Sequence, residues 1–164
     1  MSEMKYNFSE PAALTDVSQF HHVFQLPVLD NPSIPAESRC NLRINLLSEE
    51  LDELKTAIHN NDLVGIADAL CDLQYVLSGA VLEFGMGAHF KALFDEVQAS
   101  NMSKVCRSYE EAEKTQKYYT QRDGTESYIV KKDHGYLVYR TTDGKVLKSI
   151  NYQPPNLASV LNEL

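Results

Sequence analysis

Apolar residues recur at spacings of three and four from about Ala36 to Asn60, at Leu42, Leu46, Leu47, Leu51, Leu54 and Ile58. That period lines one face of a helix. The HNND run interrupts it and offers Asn61 or Asp62 as the N-cap of a second helix. A new stripe, Ile66, Leu70, Leu73, Leu77, Ala80, Val81 and Phe84, predicts that helix from about Leu63 to Phe84, ended by Gly85, Met86 and Gly87. So short a connection makes the pair an antiparallel hairpin.

The pattern is weaker before and after this hairpin. Residues 1–14 read as an irregular lead-in, and Thr15 to Gln25 as a short helix with Val17, Phe20 and Phe24 on one side. Pro27, Pro32 and Pro35 then force an extended connector. A third helix is predicted from His89 to about Ser100, running into the motif SNMSK, Ser100 to Lys104. Ser108 and Glu111 have capping-box spacing at the start of a further helix. Beyond Gln121, SYIVKK, GYLVYR and KVLKSI alternate with the turn sequences DHG and TTDG and predict a three-stranded antiparallel meander. A Pro-Pro segment and one or two helical turns close the chain. The expected fold is mainly α: a helical bundle with a small C-terminal antiparallel β extension. One domain is expected, with residues 1–120 as helical core and lead-in, and residues 121–164 as β extension and tail.

Composition narrows the function. The chain has 164 residues, 43% of them hydrophobic, and a formal net charge of −8. That balance argues against a protein whose task is to grip a nucleic acid polymer. It is compatible with binding one small nucleotide through a metal. Cys40, Cys71 and Cys106 are odd in number and widely spaced, so neither a disulfide framework nor a zinc site is expected. No apolar run is expected to reach transmembrane length and no secretory signal is visible, so a cytoplasmic protein is expected. The sequence lacks GxxxxGK[ST], GxGxxG and GxSxG, the carriers of P-loop, Rossmann and serine-hydrolase chemistry.

The candidate chemistry lies in the two hairpin helices. Glu50 and Glu53 are three apart, Glu49 and Glu53 four apart, and Asp68 and Asp72 four apart. Each set shares a helix face and borders the apolar seam. Acids beside a packed seam repel one another and lose hydration unless a cation compensates. An oxygen-only cage suits Mg²⁺, or Mn²⁺, and Mg²⁺ suits a phosphate-bearing substrate. Asp52 is expected to point away from this group and pair with Lys55. Arg43, about two turns before Glu50, is either a phosphate contact or half of an ion pair. Tyr75 is expected in the core near Asp72. His21 and His22 diverge by about 100° and are read as packing or surface residues. Lys145 and Lys148 follow a hairpin turn and are read as solubilising, with a lid over a polyphosphate as the alternative.

EELDEL, then DALCDLQYVLSGAVLEFG, then FDEVQASNMSKV resemble the MazG-like all-α nucleoside triphosphate pyrophosphohydrolases, in the phosphoribosyl-ATP pyrophosphohydrolase-like branch. The resemblance runs from about Phe20 to Lys104 and continues weakly through DGKVLKS and the Pro-Pro tail. It implies a helical core assembled as a homodimer or homotetramer. It also implies hydrolysis of a nucleoside triphosphate to the monophosphate and pyrophosphate with Mg²⁺. Carried over, Glu50, Glu53 and Asp72 would be metal ligands, and Glu49 would bind a second metal or orient the attacking water. Asn101 and Lys104 would contact the nucleotide. The family's second motif commonly has a glutamate where this chain has Ala69; Asp68 is the available substitute ligand. Phosphoribosyl-ATP is an alternative substrate, and a non-catalytic nucleotide-binding oligomer an alternative function.

Overall fold

A computed structural model describes residues 8–162, so part of the lead-in and the last two residues of the tail fall outside the described residues. The chain divides after Phe90 into two compact units. In the first, α1 (Ala13–Val23), α2 (Glu37–His59) and α3 (Leu63–Glu83) occur in order. Asp62 caps α3, its carboxylate accepting from the N–H groups of Val64 at 3.1 Å and Gly65 at 3.0 Å. Only Asn60 to Asp62 separate α2 from α3, and the two helices pack as the expected hairpin, with α1 also against α3. The proline-bearing connector is tied to the end of α3: the N–H groups of Leu29 and Ser33 donate to the carbonyls of Leu82 and Phe84, each at 3.0 Å. Gly85 has φ +69°, and a Cβ there would meet the Asn31 carbonyl oxygen at 1.9 Å, so only glycine serves at this turn.

The seam is less buried than its periodicity implies. Leu42, Leu51, Ile58, Leu70 and Leu77 are exposed, while Ala57, Ala69 and the run from Ser78 to Glu83 are buried. A three-helix unit covers only one side of each long helix. Tyr75, expected in the core, is also exposed and meets Phe20 edge-on. By length and composition α3 would suffice to cross a membrane, although the sequence pattern is read as holding no span. Asp68 and Asp72 in its first half, and its packing against α1 and α2, make it a hairpin helix here.

The second unit holds α4 from its second residue onward (Phe90–Met102), α5 (Tyr109–Asp123), β1 (Ser127–Lys132), β2 (Gly135–Arg140) and α6 (Leu157–Asn162). The helix α5 packs on both strands, and Cys106, Ala112, Tyr119, Val138 and Leu147 form a shared core. From Lys91 onward α4, and with it α5, belong to the same compact unit as the strands. Ser108 accepts from the Glu111 N–H at 3.1 Å, and Glu111 reaches back to the Arg107 N–H at 2.9 Å. Among the described residues two strands form a ladder, not three. KVLKSI makes an isolated bridge, Val146 to Tyr139, and then leaves. Its next residues turn to α5 instead: the Ser149 hydroxyl donates to Glu111, and the Ile150 N–H to the Thr115 hydroxyl at 3.1 Å.

Candidate active site

Helical spacing in α2 and α3 brings the acids to one region of the hairpin. Glu50 and Asp72 are half-buried, whereas Glu49, Glu53 and Asp68 are exposed. The Glu50 carboxyl is pushed above its ordinary value, first by desolvation and then by the charges of Asp72, Glu53, Glu49 and Asp68, in that order. The other four predicted acids therefore all act on Glu50. Ala69 is 2% exposed, within the hairpin core, so the missing family glutamate is replaced by close packing. Asp68 sits one residue further round, on the exposed shoulder, and acts on Glu50 least of the four.

Beside this group lies a groove of about 530 Å³ lined by Glu49, Asp52, Glu53, Thr56, Asn60 and Asp68, among others. Asp52, expected to face away, lines it while pairing with Lys55 at 2.8 Å. No lining side chain is cationic. Every donor is an oxygen, and the mutual repulsion recorded at Glu50 is what a hard divalent cation relieves, so the residues fit Mg²⁺. Among the described residues, no three His, Cys, Asp or Glu side chains are gathered tightly enough to close on an ion.

Arg43 is elsewhere. It is 6% exposed, and its guanidinium donates to Glu83, which is 1% exposed. Arg39 donates to the same carboxylate, with Nε to Oε2 at 3.1 Å. Burial alone would raise Glu83, but the two guanidinium groups outweigh it and hold the carboxyl below its ordinary value. The His21 Nδ1 lies 2.8 Å from the Pro27 carbonyl oxygen, which can only accept, so Nδ1 carries the hydrogen. The Nε2 lone pair then accepts from Arg43 at 3.3 Å. A buried arginine tied in this way frames the hairpin and has no free face for a phosphate. Sequence reasoning missed Glu83, although an acid within the apolar run AVLEF signals a buried cation partner.

In the second unit, the Lys104 ammonium donates to Asn101 Oδ1 at 2.7 Å, so the two residues expected to meet the nucleotide are preset by each other. Cys40, Cys71 and Cys106 are all free.

The chain with this acidic helical hairpin belongs to the MazG-like nucleoside triphosphate pyrophosphohydrolase superfamily. Within that superfamily, a model of the phosphoribosyl-ATP pyrophosphohydrolase family matches residues 17–101, and the chain belongs to this family. It is also similar to the uncharacterized protein L479 of Acanthamoeba polyphaga mimivirus, 29% identical over 159 residues, covering 85% of this chain. The chain spans 63% of the length of that relative.

Proposed function

We propose that the chain hydrolyses a nucleoside triphosphate, a deoxy or non-standard one included, to the monophosphate and pyrophosphate in a Mg²⁺-dependent reaction. The observation that carries this reading is the group of five carboxylates that includes Glu50, whose own carboxyl is raised by desolvation and then by the charges of the other four. Membership of the pyrophosphohydrolase family supports the reaction class. Glu50, Glu53 and Asp72 would hold the metal, with Asp68 as the replacement ligand. When bound, Mg²⁺ neutralises phosphate charge and lowers the pKa of a coordinated water. Glu49, exposed on the groove side, orients the attacking water or holds a second ion. Asn101 and Lys104 contact the nucleotide. Mn²⁺ would serve the same oxygen donors.

The exposed apolar residues of α2 and α3 support a homodimer or homotetramer in which hairpins cover each other. Three free cysteines are in keeping with a reducing compartment such as the cytoplasm. Phosphoribosyl-ATP is the second substrate reading, favoured by the description of the matching family. Pyrophosphate release is to be measured with Mg²⁺ from canonical, deoxy and modified triphosphates and from phosphoribosyl-ATP in parallel. Release from at least one of them is expected. Saturable nucleotide binding with no release from any would replace this reading by a non-catalytic binder.

A further inference from the structure

Charge is divided unevenly along the chain. Residues 8–90 contain three Lys or Arg against twelve Asp or Glu, whereas residues 91–164 contain eleven against ten. Arg39, Arg43 and Lys55, the three cations of the first stretch, are all held in ion pairs. A polyphosphate thus finds no uncommitted Lys or Arg in the described part of the first unit. Several cations of the second unit are committed too: Lys91, Lys114, Arg122 and Arg140 each pair with an acid.

Lys104 and Lys148 differ. Among the described residues neither has a carboxylate partner, and both act on one hydroxyl, that of Tyr152. The Lys148 Nζ lies over the Tyr152 ring, 4.3 Å from its centroid. The Ser100 hydroxyl donates to the Tyr152 oxygen at 2.9 Å. That bond, with the charges of Lys148 and Lys104, holds the phenol below its ordinary range. The arrangement is built by chain segments far apart in sequence. The Gln153 N–H donates to the Ser103 hydroxyl at 3.0 Å, and that hydroxyl lies 2.7 Å from the Ser100 carbonyl oxygen. The SNMSK turn and the Tyr152–Gln153 segment are therefore fastened together. Lys148 over the Tyr152 ring and Lys104 on the turn fastened to that segment put two ammonium groups without a carboxylate partner on one patch, a charge that an anion would offset.

We propose that Lys148, over the Tyr152 ring, and Lys104, on the turn fastened to the Tyr152–Gln153 segment, form a phosphate-binding site that takes a phosphate or pyrophosphate group. Tyr152 accepts from Ser100 and keeps its own hydrogen to donate, and Asn101 accepts from Lys104 through Oδ1 and keeps its Nδ2 donors. A cavity of about 640 Å³ lined by Met102, Ser103, Asn151 and Gln153, among others, borders the same turn and has room for the rest of a nucleotide. Lys148 then becomes a ligand-binding residue supplied by a segment beyond residues 17–101. The choice of ligand rests on the proposed nucleotide chemistry; the site itself rests on the lysine geometry.

The test is calorimetric titration of the full chain with pyrophosphate and with ATP in EDTA, where no metal can mediate binding. Saturable binding is expected. Lys148→Gln should weaken it by about tenfold or more, Lys148→Arg should retain most of it, and Lys117→Gln, at an exposed lysine of α5, should leave it unchanged. Circular dichroism checks that each variant folds. Equal affinity for the two ligands assigns the site to the free anion, and tighter ATP binding assigns it to the nucleotide. No binding of either ligand by the wild type, or unchanged binding by Lys148→Gln, overturns the proposal. The Mg²⁺-dependent release assay separates this site from the proposed hydrolase. Release without metal-free binding removes this site alone, and binding without release removes the hydrolase alone.

Discussion

Asp72 on α3 is the carboxylate that acts most strongly on Glu50 of α2, ahead of Glu53 and Glu49 on the same helix as Glu50. The strongest repulsion on Glu50 therefore comes across the hairpin, not along its own helix. Asp72→Asn removes it while keeping the shape of the side chain. Without metal, the variant should melt at a higher temperature than the wild type, because a buried-edge repulsion is gone. With Mg²⁺, it should lose pyrophosphate release by at least about a hundredfold, since even residues that only orient metal ligands cost up to that much. Thermal melts and turnover measured on the same samples check both halves. Retained turnover would remove Asp72 from the metal site.

The Glu83 carboxyl carries the acid sensitivity of the first unit. Its folded pKa lies below the ordinary value of 4.5, so the folded state releases a proton that the unfolded chain still holds. Its contribution to stability is complete above the unfolded value and is lost as pH falls through the depressed folded one. Denaturant unfolding across that window should show stability falling on acidification. Glu83→Gln should be less stable near neutrality and should lose Glu83's share of that acid dependence, leaving the share of the depressed Glu111 and Asp123 carboxyls of the second unit.

Arg43 should matter for stability and not for substrate affinity. Arg43→Ala leaves Glu83 with Arg39 as its only guanidinium partner, at a cost of about 3 kcal/mol. Gly79→Ala approaches the same cluster from α3: its Cβ would lie 2.6 Å from Arg43 Nη1 and 3.0 Å from His21 Nε2. An overpacking cost of about 1–3 kcal/mol is expected. Chemical denaturation measures both. KM for the nucleotide should stay unchanged in the folded variants, whereas a direct phosphate contact by Arg43 would raise it.

Local signals in the sequence located the hairpin and its acids. The apolar period, the Asp62 cap and Gly85 marked the ends of α3 to within one residue. The i, i+3 and i, i+4 spacing was enough to bring Glu49, Glu50, Glu53, Asp68 and Asp72 together. What spacing could not reach depends on partners distant in the chain. Arg43 shares the period of the Glu50 face, yet Glu83 and His21 draw it inward. KVLKSI has the composition of a strand, but Ser149 and Ile150 find better partners on α5. Lys148 reads as a hairpin solubiliser because α5 and both strands separate it in the chain from the Ser100–Lys104 turn, which is tied through Ser100 to the Tyr152 that Lys148 covers.

The exposed stripe of the hairpin leads to a last expectation. Leu70 is 52% exposed and Leu77 is 42% exposed, both on the helix that also carries Asp68 and Asp72. Leucines so open on a long apolar helix are costly in water unless a second surface covers them. Light scattering coupled to size exclusion should therefore give a dimer or tetramer. Leu70→Glu with Leu77→Glu should shift it toward monomer, because each places a charge where apolar surfaces meet. Helical content of the monomer should persist, since α1 and the face of α2 toward α3 do not depend on these leucines. A wild-type chain that is monomeric at high concentration, with both leucines freely substituted, would rule out hairpin pairing as the source of the active assembly.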